Sequence, residues 1–197
     1  MQNIPTYTVL VFLILFFIST FLYPGGSQAD VNSTGFSWFH NYWCDLIWPT
    51  NHREEKNPAA WAAVPAMIIL CLGLVFLFYQ FPKYYPTDAR TAMLIRIFGT
   101  GSMVCASLLF TPLHDIMIPL ASLCGLVALV AIFYVLYGQA DSTLFYFGLV
   151  CMFLMGLNNV LYYSNSESLI YYLPLLQKIS FLVVLTWIVS LNLSFKS

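Results

Sequence analysis

The residues whose types could do chemistry are few, and most stand in apolar surroundings. Asn158, Asn159 and Tyr162 belong to Leu157-Asn158-Asn159-Val160-Leu161-Tyr162-Tyr163, and Gln177 and Lys178 close Tyr171-Tyr172-Leu173-Pro174-Leu175-Leu176-Gln177-Lys178. Polar and ionisable groups inside hydrophobic segments are expensive, and each marks a functional site by default. His114-Asp115 and the aromatic-flanked set His40, Asn41 and Asp45 complete the candidates. A lysine so placed needs carboxylates or carbonyls around it; Asp115 is the first counter-charge to expect and Asp45 the second.

Three chemistries fit these side chains. Lys178 could meet the anionic head group of a lipid or small amphiphile, with Asn158, Asn159, Gln177 and His114 orienting it and Tyr162 lining the interface. His40, His114 and Asp115 could instead act as general acid and base, or as a metal set, in a lipid ester or amide hydrolase. Asp115 and Lys178 could form a relay in a small proton-coupled transporter, although no inverted repeat is evident. Each residue also has a structural role to weigh. Asp115 at the start of a helix complements its dipole, and the asparagines can be interhelical hydrogen-bond glue. Lys178 can snorkel, and His40 can be a packed histidine.

Other chemistries are excluded or weakened. No HExxH, HxxxH, GxSxG or P-loop pattern occurs, and only two of the three histidines approach the candidate set, which argues against a three-histidine zinc site. No cofactor is expected. Cys71, Cys105, Cys124 and Cys151 are scattered through apolar spans with no paired spacing, so they read as small apolar filler rather than a disulfide framework.

The elements that must position these groups follow from composition. Of 197 residues, 60% are hydrophobic and only 8% are charged, too few to cover a water-facing surface. The apolar residues fall in blocks of about 18 to 25, the length that spans a bilayer. The net charge of −1 and the lack of a basic patch exclude nucleic acid as a partner and leave membrane lipids. The expectation is one all-α integral membrane domain of six helices, at about 6–23, 59–81, 92–113, 115–137, 142–163 and 169–193. A long outer loop, 24–58, joins the first two. Pro24-Gly25-Gly26 ends the first helix, Pro82 the second, and Thr111-Pro112-Leu113-His114 turns the third into the fourth. The small run Gly99-Thr100-Gly101-Ser102 offers a neighbour close approach.

Six spans put both termini on one side, with Lys83, Arg90, Arg96 and Lys196; the other side carries Arg53 and Lys56. The positive-inside rule makes the first side cytoplasmic. His114 and Asp115 then open a helix on the outer side, Asn158 and Asn159 lie roughly 8 Å in from it, and Gln177 and Lys178 roughly 13 Å. One outward-opening pocket could collect them all.

Tyr23-Pro24-Gly25-Gly26-Ser27, the run from Gly35 to Leu46 containing Trp38-Phe39-His40-Asn41-Tyr42-Trp43-Cys44-Asp45, and Asn57-Pro58-Ala59 carry a resemblance. With His114-Asp115, the 157–163 stretch and the run from Tyr172 to Phe181, they resemble six-helix membrane proteins of Bacteroidetes-type bacteria. These are similar, more distantly, to the domain-of-unknown-function family 998 and through it to Frag/DRAM/Sfk-type membrane proteins. The resemblance implies six helices, a long first outer loop and a bacterial inner membrane, with lipid handling by analogy. It carries no catalytic residue over.

Overall fold

The computed structural model of the chain describes residues 2–140, 142–164 and 171–196. Its helices are α1 (Ile4–Leu22), α2 (Ala60–Tyr84), α3 (Ala89–Ala106), α4 (His114–Tyr137), α5 (Thr143–Tyr163) and α6 (Leu173–Leu193), with short 3-10 turns at Trp43–Leu46 and Ser194–Lys196. No strand forms among the described residues; two isolated bridges, Gly25 with Thr34 and Thr50 with Lys56, brace the connection between α1 and α2. All helices except α3 are long and apolar enough to cross a membrane. Arg90, Arg96 and the polar run at 99–102 dilute α3.

α2 shows how the pattern works. Ala59, Ala63, Ala66, Leu70, Gly73, Leu77 and Phe81 are buried, while Trp61, Pro65, Ile68, Leu72, Phe76, Tyr79 and Lys83 are exposed. Both sets recur at steps of three and four residues, so they occupy opposite faces of one helix. The inner face is small near its start and aromatic near its end; the outer face is apolar, as a lipid-facing surface must be.

Three helix boundaries differ from expectation, each for a local reason. α3 starts early, at Ala89, because the Asp88 carboxylate accepts the backbone N–H groups of Arg90 and Thr91 at 2.9 and 3.1 Å, an effective N-cap. It ends at Ala106 rather than near 113. Beyond it the chain runs in turns, Leu108 N–H to Cys105 O and Thr111 N–H to Leu108 O, and Pro112 disfavours helix at the residue before it. α2 passes Pro82 and ends at Tyr84. A proline in the last turn removes one bond only, and Tyr85 N–H to Phe81 O at 2.9 Å closes the turn. The sixth helix is described from Leu173; residues 165–170, where a turn and that helix's first residues are expected, lie outside the described residues.

Two contacts set the arrangement of the bundle. At one end Gln2 Nε2 donates to Phe195 O at 2.6 Å and Asn192 Nδ2 to Gln2 O at 2.9 Å, which joins the start of α1 to the end of α6. At the other end Trp43 lies against Phe16 and Phe181, with ring centroids 5.6 and 5.2 Å apart. That seats the 3-10 turn between α1 and α6. Between the ends, the small run of α3 takes neighbours on two sides. A Cβ on Gly99 would lie 2.3 Å from the Phe78 ring of α2, and Ser102 Oγ donates to Ala121 O of α4 at 2.8 Å.

Candidate functional site

The connection between α1 and α2 is a folded cap built on three buried asparagines. Asn41 Nδ2 donates to Gly26 O and to Asp45 Oδ2, both at 2.8 Å. Asn51 Nδ2 donates to Gly25 O at 2.9 Å, and Asn57 Nδ2 donates to Asp45 O and Trp48 O at 2.8 Å. A primary amide carries two donors and an acceptor, so each side chain ties two strands of irregular backbone whose polar groups would otherwise be buried unpaired. Gly25 and Gly26 make the inward carbonyls possible. Their φ values of 121° and 85° are open to glycine, and a Cβ on Gly25 would fall 2.3 Å from Ser33 O.

Lys178 locks this cap to α6. It is only 3% exposed, its amine donates to Asn41 O and, at 3.0 Å, to Pro174 O one turn back on its own helix. The Phe36 ring centroid lies 5.5 Å away, within range for a cation–π contact. Two carbonyls and a ring face thus occupy the three donor directions of an ammonium. Next to it, Gln177 Oε1 accepts Trp43 N–H at 3.2 Å. Asp45 is reached through Asn41, and its other oxygen lies 3.3 Å from His52 Nε2.

Burial, and after it the charge of Asp45, push the Cys44 thiol up to about 11 and the Tyr42 phenol up to about 12. The same two causes raise Tyr23, whose hydroxyl donates to Gly26 O at 3.0 Å. All three groups therefore keep their protons near pH 7.

The other expected residues fall into separate places at the same end. His114 Nδ1 is 3.2 Å from Asp115 Oδ1, and the His114 ring lies 4.9 Å from that of Trp48. The Asp115 side chain is fully exposed; it is not the charge partner of Lys178, because α4 presents it outward while the cap closes over the lysine. Asn158 Nδ2 donates to Ser180 Oγ at 2.6 Å, bridging α5 and α6. Asn159 bonds its own helix at Met155 O and, like Tyr162, is exposed. His40 lies against Ser37 and the Tyr171 ring, away from the partners of His114. Among the described residues no three His, Cys, Asp or Glu side chains gather closely enough to hold a metal ion.

The groove at this end is lined by residues outside the sequence-derived set. A cavity of about 600 Å³ lies between the cap and the first turns of α2, walled by Pro49, Lys56, Pro58, Trp61, Val64 and Pro65. Trp61 is 85% exposed, and the Lys56 amine has no partner among the described residues. Pro65 has no N–H to give the carbonyl of Trp61 one turn back, so the helix lacks that one bond at the groove. The signal that could have found this groove is Lys56 five residues before a tryptophan that opens an apolar span; a polar run from 51 to 58 reads instead as a water-facing tip.

Comparison of the chain with protein-family models, curated proteins and solved structures gives no match.

Proposed function

We propose that the chain is a six-span membrane protein that binds an anionic lipid or related amphiphile in the Lys56–Trp61 groove, under a cap that Lys178 holds in place. The carrying observation is an unpaired lysine at the mouth of an apolar groove on the first turn of a membrane-length helix. An amphiphile has the same layout: charge at the surface, apolar chain below. Lys56 meets the head group, Trp61 sits at the interface where its amphipathic ring is favoured, and the outer face of α2 carries the chain downward.

Parity supports the sixth span. The start of α1 touches the end of α6, which fits an even number of crossings, and a crossing by α3 beside the five more apolar helices would supply it. Its 18 residues extend about 27 Å, close to the thickness of a bilayer core. Lys83, Arg90 and Arg96 at the termini end favour a cytoplasmic placement for that end and an outward-facing cap, as in a bacterial inner membrane.

The test is native mass spectrometry of the protein released from bilayers containing phosphatidylglycerol and phosphatidylcholine. Wild type retains phosphatidylglycerol selectively, and Lys56→Ala with Trp61→Ala loses one molecule of it. Equal retention by wild type and the double variant would contradict the proposal.

A further inference from the structure

A second groove lies at the termini end of the same helix. It has a volume of about 510 Å³ and is walled by Gln2, Val75, Phe76, Tyr79, Lys83 and Tyr84. Two of its walls are tied to Phe195. Tyr84 stacks on Phe195, with ring centroids 4.7 Å apart and planes within 8°, and Gln2 is tied to Phe195 O. Arg96 of α3 lies 5.9 Å from the centre of the Tyr79 ring, and its buried Nε has no hydrogen-bond partner. The Lys83 amine is likewise without a partner among the described residues. Two cations thus flank one tyrosine wall, and among the described residues no carboxylate pairs with either.

The apolar floor of this groove continues along α2. Phe76, Leu72 and Ile68 lead from it toward Trp61, all on the exposed face of the helix. That face has no polar side chain between Trp61 and Tyr79, so it suits acyl chains and gives a head group nothing to bind between the two ends. The helix has 25 residues, about 37 Å at the usual rise, so its ends reach the two opposite head-group layers.

We infer that the Lys83 groove is a second lipid site, one that takes the phosphate head group of an anionic phospholipid from the leaflet opposite the Lys56 groove. Lys83 contacts the phosphate, the Tyr84 hydroxyl donates to it, and Arg96 adds positive potential from behind Tyr79. Val75 and Phe76 receive the upper part of the acyl chains. A free phosphate would use the same cations without the apolar floor, so the two sources are separable.

The experiment counts phosphatidylglycerol molecules on the full-length protein by native mass spectrometry in four forms: wild type, Lys83→Ala, Lys56→Ala and the double variant. Lys83 is exposed, so its replacement leaves the fold intact, and Lys83→Arg serves as the conservative control. The expected result is one lipid fewer in Lys83→Ala than in wild type, restoration in Lys83→Arg, and two fewer in the double variant. Inorganic phosphate at millimolar concentration displaces neither lipid. A Lys83→Ala count equal to wild type would overturn the inference, even where Lys56→Ala loses its lipid. Loss of the Lys83-dependent lipid to inorganic phosphate would overturn the phospholipid assignment. A Lys83 effect without a Lys56 effect would sustain this site and remove the outer one.

Discussion

The amine of Lys178 donates to the main-chain carbonyl of Asn41, 137 residues earlier in the chain. This bond links the first turns of α6 to the centre of the cap, and Asn41 passes the link on to Gly26 and Asp45. A lysine that reads as a ligand contact is in this fold a latch.

Replacing Lys178 with Met keeps the stem and removes the donor. The Asn41 carbonyl is then buried without its partner, which costs about 1–3 kcal/mol. The cap loosens first because the rest of the bundle does not depend on that bond. Iodoacetamide labelling of Cys44, followed by peptide mass spectrometry at pH 8, should be faster in Lys178→Met than in wild type. Unchanged labelling would mean that the asparagines alone hold the cap.

The Cys44 and Tyr42 protons give a pH dependence. Both groups hold their protons to higher pH in the folded chain than in an unfolded one. The stability they contribute is therefore complete below the ordinary thiol range and is lost as pH rises through about 11 for Cys44 and about 12 for Tyr42. Asp45→Asn removes the second cause and leaves burial in place. The pH profile of Cys44 alkylation should shift below 11 in that variant without reaching that of a free thiol. A profile that does not move would assign the whole effect to burial.

Gly25→Ala tests the cap backbone separately. The φ of 121° and the 2.3 Å approach to Ser33 O leave no room for a Cβ, and such strain costs about 1–3 kcal/mol. Limited proteolysis should cut the variant between 24 and 58 at protease levels that leave wild type whole. Gly35→Ala, at a φ of 66° but with open space around it, carries backbone strain without the clash and so isolates the steric part.

The crossing of α3 has its own test. Cysteines introduced at Thr87 and at Leu113, in a background free of the native ones, should react with an impermeant maleimide from opposite faces of a proteoliposome. Labelling of both from one face would lay α3 along the surface.

Much of this molecule is legible in its sequence. The five apolar spans show as blocks of membrane length, and the bond from Asn158 of α5 to Ser180 of α6 is the interhelical role open to an amide in an apolar helix. The cap is harder to read. Asn51 and Asn57 look like ordinary loop residues and Asn41 like a pocket residue, because their partners in the cap include main-chain carbonyls, which every residue has and no motif marks. Lys178 is misleading for the same reason: a search for its charge partner passes over Asn41 O and stops at Asp115. The end of α3 depends on Ser107 and Thr111 turning the chain before Pro112, a local competition that apolar periodicity does not record.

The most direct test of lipid binding uses an anionic phospholipid with a photoreactive head group, activated in bilayers that hold the wild-type protein. Adducts should concentrate in the segment from Pro49 to Pro65 and fall several-fold in Lys56→Ala. Adducts distributed along the lipid-facing sides of all helices, with none enriched between Pro49 and Pro65, would contradict it.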